Sequence, residues 1–216
     1  MSFLAENWPV LRDAFLTTLS LALLSGLLSL VLGTVLVAMR VSPVAPLRGL
    51  ATFYVEVFRN TPLTVVFFFL VFGIVQIDLS FPSRFIAAVS ALSLYTAAFV
   101  AEALRSGINA VPPGQAEAAR ALGLDFRQTL RQVVLPQAFR TVVPPLGNVW
   151  IALAKNTSIA AGFAVSDLTA ALTRLSNANA DELALVFAAI VVGYLVITLP
   201  SAALFRLLER RVAIVR

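Results

Sequence analysis

Residues 114–136, GQAEAARALGLDFRQTLRQVVLP, form a long polar stretch in a 216-residue chain that is otherwise strongly apolar. The chain is 60% hydrophobic and only 12% charged, about half of the roughly 25% charged residues of a soluble domain. Such a composition is typical of an integral membrane protein. The polar stretch must then lie outside the bilayer, and the apolar runs on either side of it must cross the bilayer.

Apolar runs long enough to cross the membrane occur on both sides of this stretch. About 20 apolar residues cross a hydrocarbon core of about 30 Å as a helix. We predict that the first run is a retained span and not a signal peptide, because it lacks a basic start and exceeds the ~7–15 apolar residues of a signal peptide. We predict a single all-α membrane domain over residues 1–216, with a cytoplasmic loop at about 112–136. Its five spans are predicted at about 14–39, 54–77, 84–104, 140–165 and 183–208.

Arginine placement predicts the orientation of these spans. Five spans put the termini on opposite sides, and cytoplasmic loops carry the excess of Lys and Arg. One side carries Arg12, Arg84 and Arg174. The other carries Arg40, Arg48, Arg59, Arg105, Arg120, Arg127, Arg131, Arg140, Arg206, Arg210, Arg211 and Arg216. We therefore predict an outside N-terminus and a cytoplasmic C-terminus, and the net charge of +5 needs no nucleic-acid partner.

Residue types absent from the sequence argue against an enzyme. The chain has no cysteine and no histidine, which removes the commonest general base and the commonest metal ligand. It has no Gly-Lys-Ser/Thr motif of the Walker type, so it is predicted to bind no nucleotide itself. We predict no catalytic residue, no metal site and no cofactor in this chain.

Local signals predict two short helices within the polar stretch. Pro113 suits a helix start, Gly123 a left-handed helix end, and Asp125 the N-cap of a second helix that Leu135-Pro136 stops. From these signals alone, an L-shaped projection and an amphipathic helix resting on the headgroups are equally compatible.

The spacing of the stretch carries a resemblance to a known family. The stretch resembles the EAA loop of bacterial ABC importer permeases. Its pattern is Glu117-Ala118-Ala119, three residues, Gly123, nine residues, Val133, one residue and Leu135-Pro136. Val133 stands where the family's pattern has isoleucine. The resemblance implies the type I importer permease fold, in which the helix around Glu117–Leu122 docks as a coupling helix on a separate ATP-binding subunit. The implied coupling residues are Glu117, Ala118, Ala119, Leu122, Gly123, Leu135 and Pro136.

Two further motifs narrow the resemblance to permeases for polar amino acids. Arg59-Asn60-Thr61-Pro62-Leu63 resembles their Arg-Gly-Thr-Pro-Leu signature, with Asn60 in place of glycine, and Lys155-Asn156-Thr157-Ser158 resembles their Lys-(Asp/Asn)-Thr-Ser signature. The resemblance covers about residues 16–210, and closely similar members take up glutamate or glutamine. It implies a bacterial cytoplasmic membrane, cytoplasmic ATPase subunits that bind the ATP, a second permease subunit and an extracytoplasmic substrate-binding protein.

Polar residues within or beside the spans are candidates for the substrate pathway or its gates. Lys155 lies well inside the fourth span, where a lysine marks a pathway or a partner. It can attract a substrate carboxylate, or it can serve a structural or gating role and pair or reach towards the interface. The candidates are Lys155, Asn156, Thr157, Ser158, Arg59, Thr61 and Glu102.

Other polar or small residues in the spans have simpler interpretations. Glu56 with Arg59 and Glu102 with Arg105 are spaced to pair along one helix face. Tyr95 and Thr96 are predicted to pack or to line a cavity, and Ser25, Gly26 and Ser29 to allow close helix approach.

Two other functions remain as alternatives at this point. A passive channel or secondary transporter predicts carboxylates at mid-depth for ion coupling, whereas the acidic residues here lie at span ends. A membrane-embedded enzyme would need paired catalytic groups, which the spans do not offer. A neighbouring ATPase gene, or an ATPase that co-purifies, would distinguish the importer from both.

Overall fold

The computed structural model describes residues 2–212, and every regular element in that range is a helix. The all-α prediction is therefore confirmed. Arg216, which contributed to the predicted orientation, lies outside the described residues.

Three helices are each long and apolar enough to cross a membrane unaided. They are α1 Ser2–Arg40, α4 Arg84–Asn109 and α9 Leu183–Val212. Helix α4 begins where the Ser83 hydroxyl accepts a hydrogen bond from the Ile86 N–H, which supplies one of the missing helix-end partners. Helix α1 continues through Pro9, and helix α9 continues through Pro200.

The run predicted as one span at 54–77 is instead bent by 107°. Pro62 donates no hydrogen bond, and it holds the preceding Thr61 in extended backbone with φ −102° and ψ 132°. The helix therefore stops and restarts in a new direction. Its parts are α2 Ala45–Asn60 and α3 Leu63–Phe68, followed by a π-helical turn at Phe69–Gly73 and a 3₁₀ turn at Ile74–Ile77.

A second composite run connects the polar stretch to the membrane. The prediction that Leu135-Pro136 ends a helix is wrong, because the chain stays helical from Phe126 to Phe163. Pro136 falls where a π-helical segment passes into an α-helix, so the bond it cannot donate is given up at a local change of helical pitch. The parts are α5 Pro113–Ala121, α6 Phe126–Gln128, the π-helical segment Thr129–Val134, α7 Leu135–Asn156 and a 3₁₀ segment Thr157–Phe163.

The chain bends by 53° after this run and enters α8, Leu168–Ala178. A short 3₁₀ turn, Ala180–Glu182, then leads into α9. If each bent pair counts as one crossing, the described residues make up to five crossings.

Helix α4 occupies the centre and packs against α1, α2, α3 and α7. Its buried positions are mostly alanines, including Ala88, Ala91 and Ala98, each with no exposed surface. Small residues let helices approach closely in lipid, where packing replaces the hydrophobic effect. The predicted close approach at Gly26 is confirmed, since a side chain there would collide with the Trp150 ring of α7.

Candidate functional site

The polar stretch folds into a corner at Gly123. The Gly123 N–H donates to the Arg120 carbonyl at 2.9 Å, and the Leu124 N–H donates to the Ala119 carbonyl at 3.2 Å. Gly123 itself has φ +87°. This is the paired hydrogen-bond pattern of a left-handed helix end, which favours glycine. The left-handed end predicted at Gly123 is confirmed.

The second arm of the corner starts at Asp125, as predicted. The Gln128 N–H donates to Asp125 Oδ1 at 2.7 Å, and the Asp125 N–H donates to Gln128 Oε1 at 2.9 Å. These reciprocal bonds fix the direction of the second arm. Leu122 and Phe126, on either side of the corner, are 82% and 80% exposed. Two large apolar side chains displayed on a polar segment are typical of an interaction surface.

The structure divides the remaining residues of the predicted coupling set. Glu117 and Ala118 are exposed on α5, while Ala119 is buried in the chain itself, where α5 packs on the π-helical segment. Leu135 and Pro136 are exposed further along, on the continuous helix that leads to α7. The exposed surface is therefore formed by α5 and the corner, and Ala119 holds the two arms together.

Glu102 of α4 joins the ends of three helices. Its Oε1 pairs with Arg40 at the end of α1, and its Oε2 lies 3.4 Å from Arg59 Nη1 at the end of α2. The Arg40 side chain is only 9% exposed, whereas that of Arg59 is 46% exposed. One carboxylate between two guanidinium groups leaves a net positive charge at this point.

The predicted pairing of Glu56 with Arg59 and of Glu102 with Arg105 is wrong. Between residues 2 and 212 the structure contains three ion pairs, which are Arg12–Asp13 and the two that Glu102 makes with Arg40 and Arg59. Local spacing along a helix did not decide the partners, because α1 and α2 bring their terminal arginines to the same face of α4.

A pocket of about 300 Å³ lies between α4 and α7. Its polar lining groups are Tyr95 and Thr96 from α4, together with Asn148 and Asn156 from α7. Phe99 forms part of the apolar wall. Of the residues named from the sequence, Tyr95, Thr96 and Asn156 line the pocket. Asn148 was missed, although an amide within the apolar run 142–154 was a signal in the sequence.

The Lys155–Ser158 motif is divided between different environments. Asn156 faces the pocket, whereas Lys155 is exposed and is not among the lining residues. Thr157 is fully buried and donates a hydrogen bond to the Ala154 carbonyl at 2.8 Å. The α-helix ends at Asn156 and continues as a 3₁₀ helix, so this motif changes the helical pitch beside the pocket.

Arg59 lies beside the pocket wall. Its guanidinium carbon is 5.9 Å from the centre of the Phe99 ring, while Glu102 holds its other side. Thr61 is half-buried at the bend two residues further on. Of the sequence candidates, Asn156 lines the pocket, and Arg59 and Glu102 lie together beside its Phe99 wall.

A buried carboxyl at the other end of the bundle was not predicted as a site residue. Asp167 is fully buried, and its Oδ1 accepts a hydrogen bond from the Ala170 N–H at 2.8 Å. The neighbouring Leu168 N–H donates to Thr18 Oγ1 of α1 at 3.0 Å. These bonds start α8 and attach it to α1.

The sequence matches a family of transport proteins over most of its length. The family described as "Binding-protein-dependent transport system inner membrane component" matches residues 27–214. The glutamate transport system permease protein GluC of Corynebacterium efficiens is 45% identical over 207 residues, which covers 91% of both chains. The probable glutamine ABC transporter permease protein GlnM of Bacillus subtilis is 37% identical and covers 98% of this chain and 97% of its own.

Solved structures of ABC transporters contain chains with the same fold. A chain from the crystal structure of an amino acid ABC transporter with histidines superimposes with a TM-score of 0.88, at 34% identity and 96% coverage of both chains. A chain of the inward-facing MetNI methionine ABC transporter shares the fold at 22% identity, with a TM-score of 0.78. The chain therefore belongs to the inner membrane components of binding-protein-dependent transport systems, and it has the fold of the type I ABC importer permeases.

Proposed function

We propose that this chain is the membrane subunit of an ATP-driven importer of a polar amino acid, with glutamate or glutamine as the preferred substrate. The observation that carries this proposal is the pocket between α4 and α7, with the partly exposed Arg59 beside it. Relatives named as glutamate and glutamine permeases, at 45% and 37% identity, support the same substrate class.

The pocket is suited to an amino acid because it combines an apolar wall with a few polar groups. A cavity of about 300 Å³ is at the small end of ligand pockets, which run from about 300 to 1,000 Å³. The Asn148 and Asn156 amides and the Thr96 hydroxyl offer both donors and acceptors to an ammonium, a carboxylate or a side-chain amide.

Arg59 is the residue that we assign to the substrate carboxylate. Its planar guanidinium can form two parallel hydrogen bonds with a carboxylate. Glu102 holds Arg59 in place without neutralising the region, because Glu102 is shared with Arg40. Both Arg59 and Lys155 lie outside the pocket lining, but Arg59 contacts the lining ring of Phe99, whereas Lys155 is exposed and makes no ion pair or cation–π contact among the described residues. We therefore assign Lys155 to a structural or gating role.

The corner at Gly123 is the surface that we assign to the ATPase partner. Leu122 and Phe126 are exposed there, and Glu117 and Ala118 extend the surface along α5. The helix that leaves the corner runs without interruption from Phe126 to Phe163, past Asn148 and Asn156. Movement of the corner is thereby transmitted along one helical element to the pocket wall.

The importer would require several partners. The middle of this bundle is filled by the buried alanines of α4, so we propose that the pathway forms between two permease subunits. Cytoplasmic ATPase subunits would bind and hydrolyse ATP, and an extracytoplasmic binding protein would deliver the amino acid. The excess of arginine on one set of loops supports a cytoplasmic C-terminus and an outside N-terminus.

Transport kinetics of Arg59 variants test the substrate assignment. In proteoliposomes that contain the permease with its ATPase and binding protein, Arg59→Gln should raise the KM for glutamate about tenfold or more, because a charge-assisted hydrogen bond is lost. Arg59→Lys should fall between Arg59→Gln and wild type. Arg48→Gln is the matched control, since Arg48 binds the Ser42 and Pro43 carbonyls away from the pocket. Equal KM values for Arg59→Gln and Arg48→Gln would refute the assignment.

A further inference from the structure

An apolar groove of about 690 Å³ lies between the first part of α1 and the first half of α9. Its α1 wall presents large side chains, whereas its α9 wall includes small residues that make it concave. The floor is the buried Leu168 of α8. The lining residues include Trp8 and Arg12 on α1, and Ala188, Val192 and Gly193 on α9.

Small residues on α9 create the groove. A side chain at Gly193 would place its Cβ 3.0 Å from Leu168 Cδ1, so glycine is what lets α8 approach so closely. Ala188 is exposed on the same face of α9, and its short side chain leaves the groove unfilled there. Both walls belong to helices that are long and apolar enough to cross a membrane, so we assign the groove to the bilayer and its interface.

Arg12, the one charged lining residue, lies at headgroup depth. Residues 14–39 carry no charge, and these 26 residues of α1 extend about 39 Å at 1.5 Å per residue. That length matches a bilayer of about 40–45 Å including its headgroups. Trp8, one turn before Arg12, is 62% exposed and is a residue type enriched at membrane interfaces.

Arg12 has donor capacity to offer a phosphate. Its Nε and Nη2 donate to Asp13 Oδ1 at 3.0 and 2.8 Å, which uses one edge of the guanidinium. The Arg12 side chain is 57% exposed. An ion pair this exposed is weak, so Arg12 can reorient towards a phosphate at little cost.

We propose that the groove binds one phospholipid of the leaflet at the N-terminal end of α1, with its phosphate at Arg12 and an acyl chain along the apolar walls. The chemistry of the lining favours a phospholipid. The walls are apolar along their length, which suits an acyl chain, and the one charged lining group is an exposed guanidinium at headgroup depth, which suits a phosphate.

Native mass spectrometry of the full chain in mild detergent tests this proposal. After addition of phosphatidylglycerol, phosphatidylethanolamine or diacylglycerol, the wild-type chain should retain one phospholipid and release diacylglycerol. Ala188→Trp should fill the groove and lower phospholipid occupancy at least fivefold. Ala184→Trp is the matched control, because Ala184 is exposed on α9 outside the groove.

A second pair of variants tests the headgroup contact without altering the groove. Arg12→Gln should abolish the preference for phospholipid over diacylglycerol, while Arg174→Gln, which changes an exposed arginine beside a different pocket, should retain it. Equal phospholipid occupancy in Ala188→Trp and wild type would overturn the proposal, as would equal retention of diacylglycerol and phospholipid by wild type.

The cysteine-free sequence allows a direct check in native membranes. A photoreactive label on Val192→Cys should cross-link to lipid. A cross-link to another protein chain would show that a partner fills the groove and would also overturn the proposal.

Discussion

Gly123→Ala should weaken coupling to the ATPase without unfolding the membrane domain. Gly123 has φ +87°, and an alanine held in the left-handed region costs roughly 1–2 kcal/mol. A Cβ at this position would meet nothing within 4 Å, so no steric clash contributes. The whole effect is therefore backbone strain at the corner, which corresponds to roughly a 5–30-fold loss in the population of the native turn.

The assay is the number of amino acid molecules transported per ATP hydrolysed, measured together with ATPase co-purification. Gly114→Ala is the matched control, since Gly114 also has nothing within 4 Å of a built Cβ but has no left-handed φ. Gly123→Asn should retain more coupling than Gly123→Ala, because asparagine tolerates the left-handed region. If Gly123→Ala and Gly114→Ala couple equally well, the corner is not the transmitting element.

Three further predictions concern the stability of the bundle. Glu102→Gln removes the carboxylate that pairs with the nearly buried Arg40 and should lower the free energy of unfolding by about 1–3 kcal/mol, which is less than for a fully buried pair because the Glu102 side chain is 28% exposed. A thermal unfolding temperature in detergent equal to that of wild type would contradict this. Gly26→Ala should lower the free energy of unfolding by about 1–3 kcal/mol through a clash with Trp150, whereas Gly49→Ala, in open space on α2, should not lower it. Equal unfolding temperatures for these two variants would exclude the clash. Asp167→Ala should cost about 1 kcal/mol through loss of the α8 cap and Asp167→Asn much less, and hydrogen exchange of the first turn of α8 would detect the difference.

Local sequence signals predicted the corner well. Gly123 and Asp125 act through backbone groups within five residues of themselves, so residue type alone sufficed to predict a left-handed end and a following cap. The same reasoning failed at Leu135-Pro136. A proline is a reliable stop only where the helix keeps one pitch, and here a π-helical segment absorbs the missing hydrogen bond.

Partners distant in sequence could not be predicted in this way. Spacing along one helix favoured Glu102 with Arg105, but Arg40 lies 62 residues away and reaches Glu102 only because α1 packs along α4. The pocket shows the same limit. Tyr95 and Asn156 stood out as polar residues in apolar runs, yet their meeting depends on how α4 packs against α7.

Uptake of labelled glutamate tests the central claim most directly. The full chain, its ATPase and its binding protein would be reconstituted in proteoliposomes with ATP on the ATPase side. The account predicts accumulation of glutamate that stops when ATP is omitted and that is unaffected when proton and sodium gradients are collapsed. Uptake that persists without ATP and follows an ion gradient would contradict it.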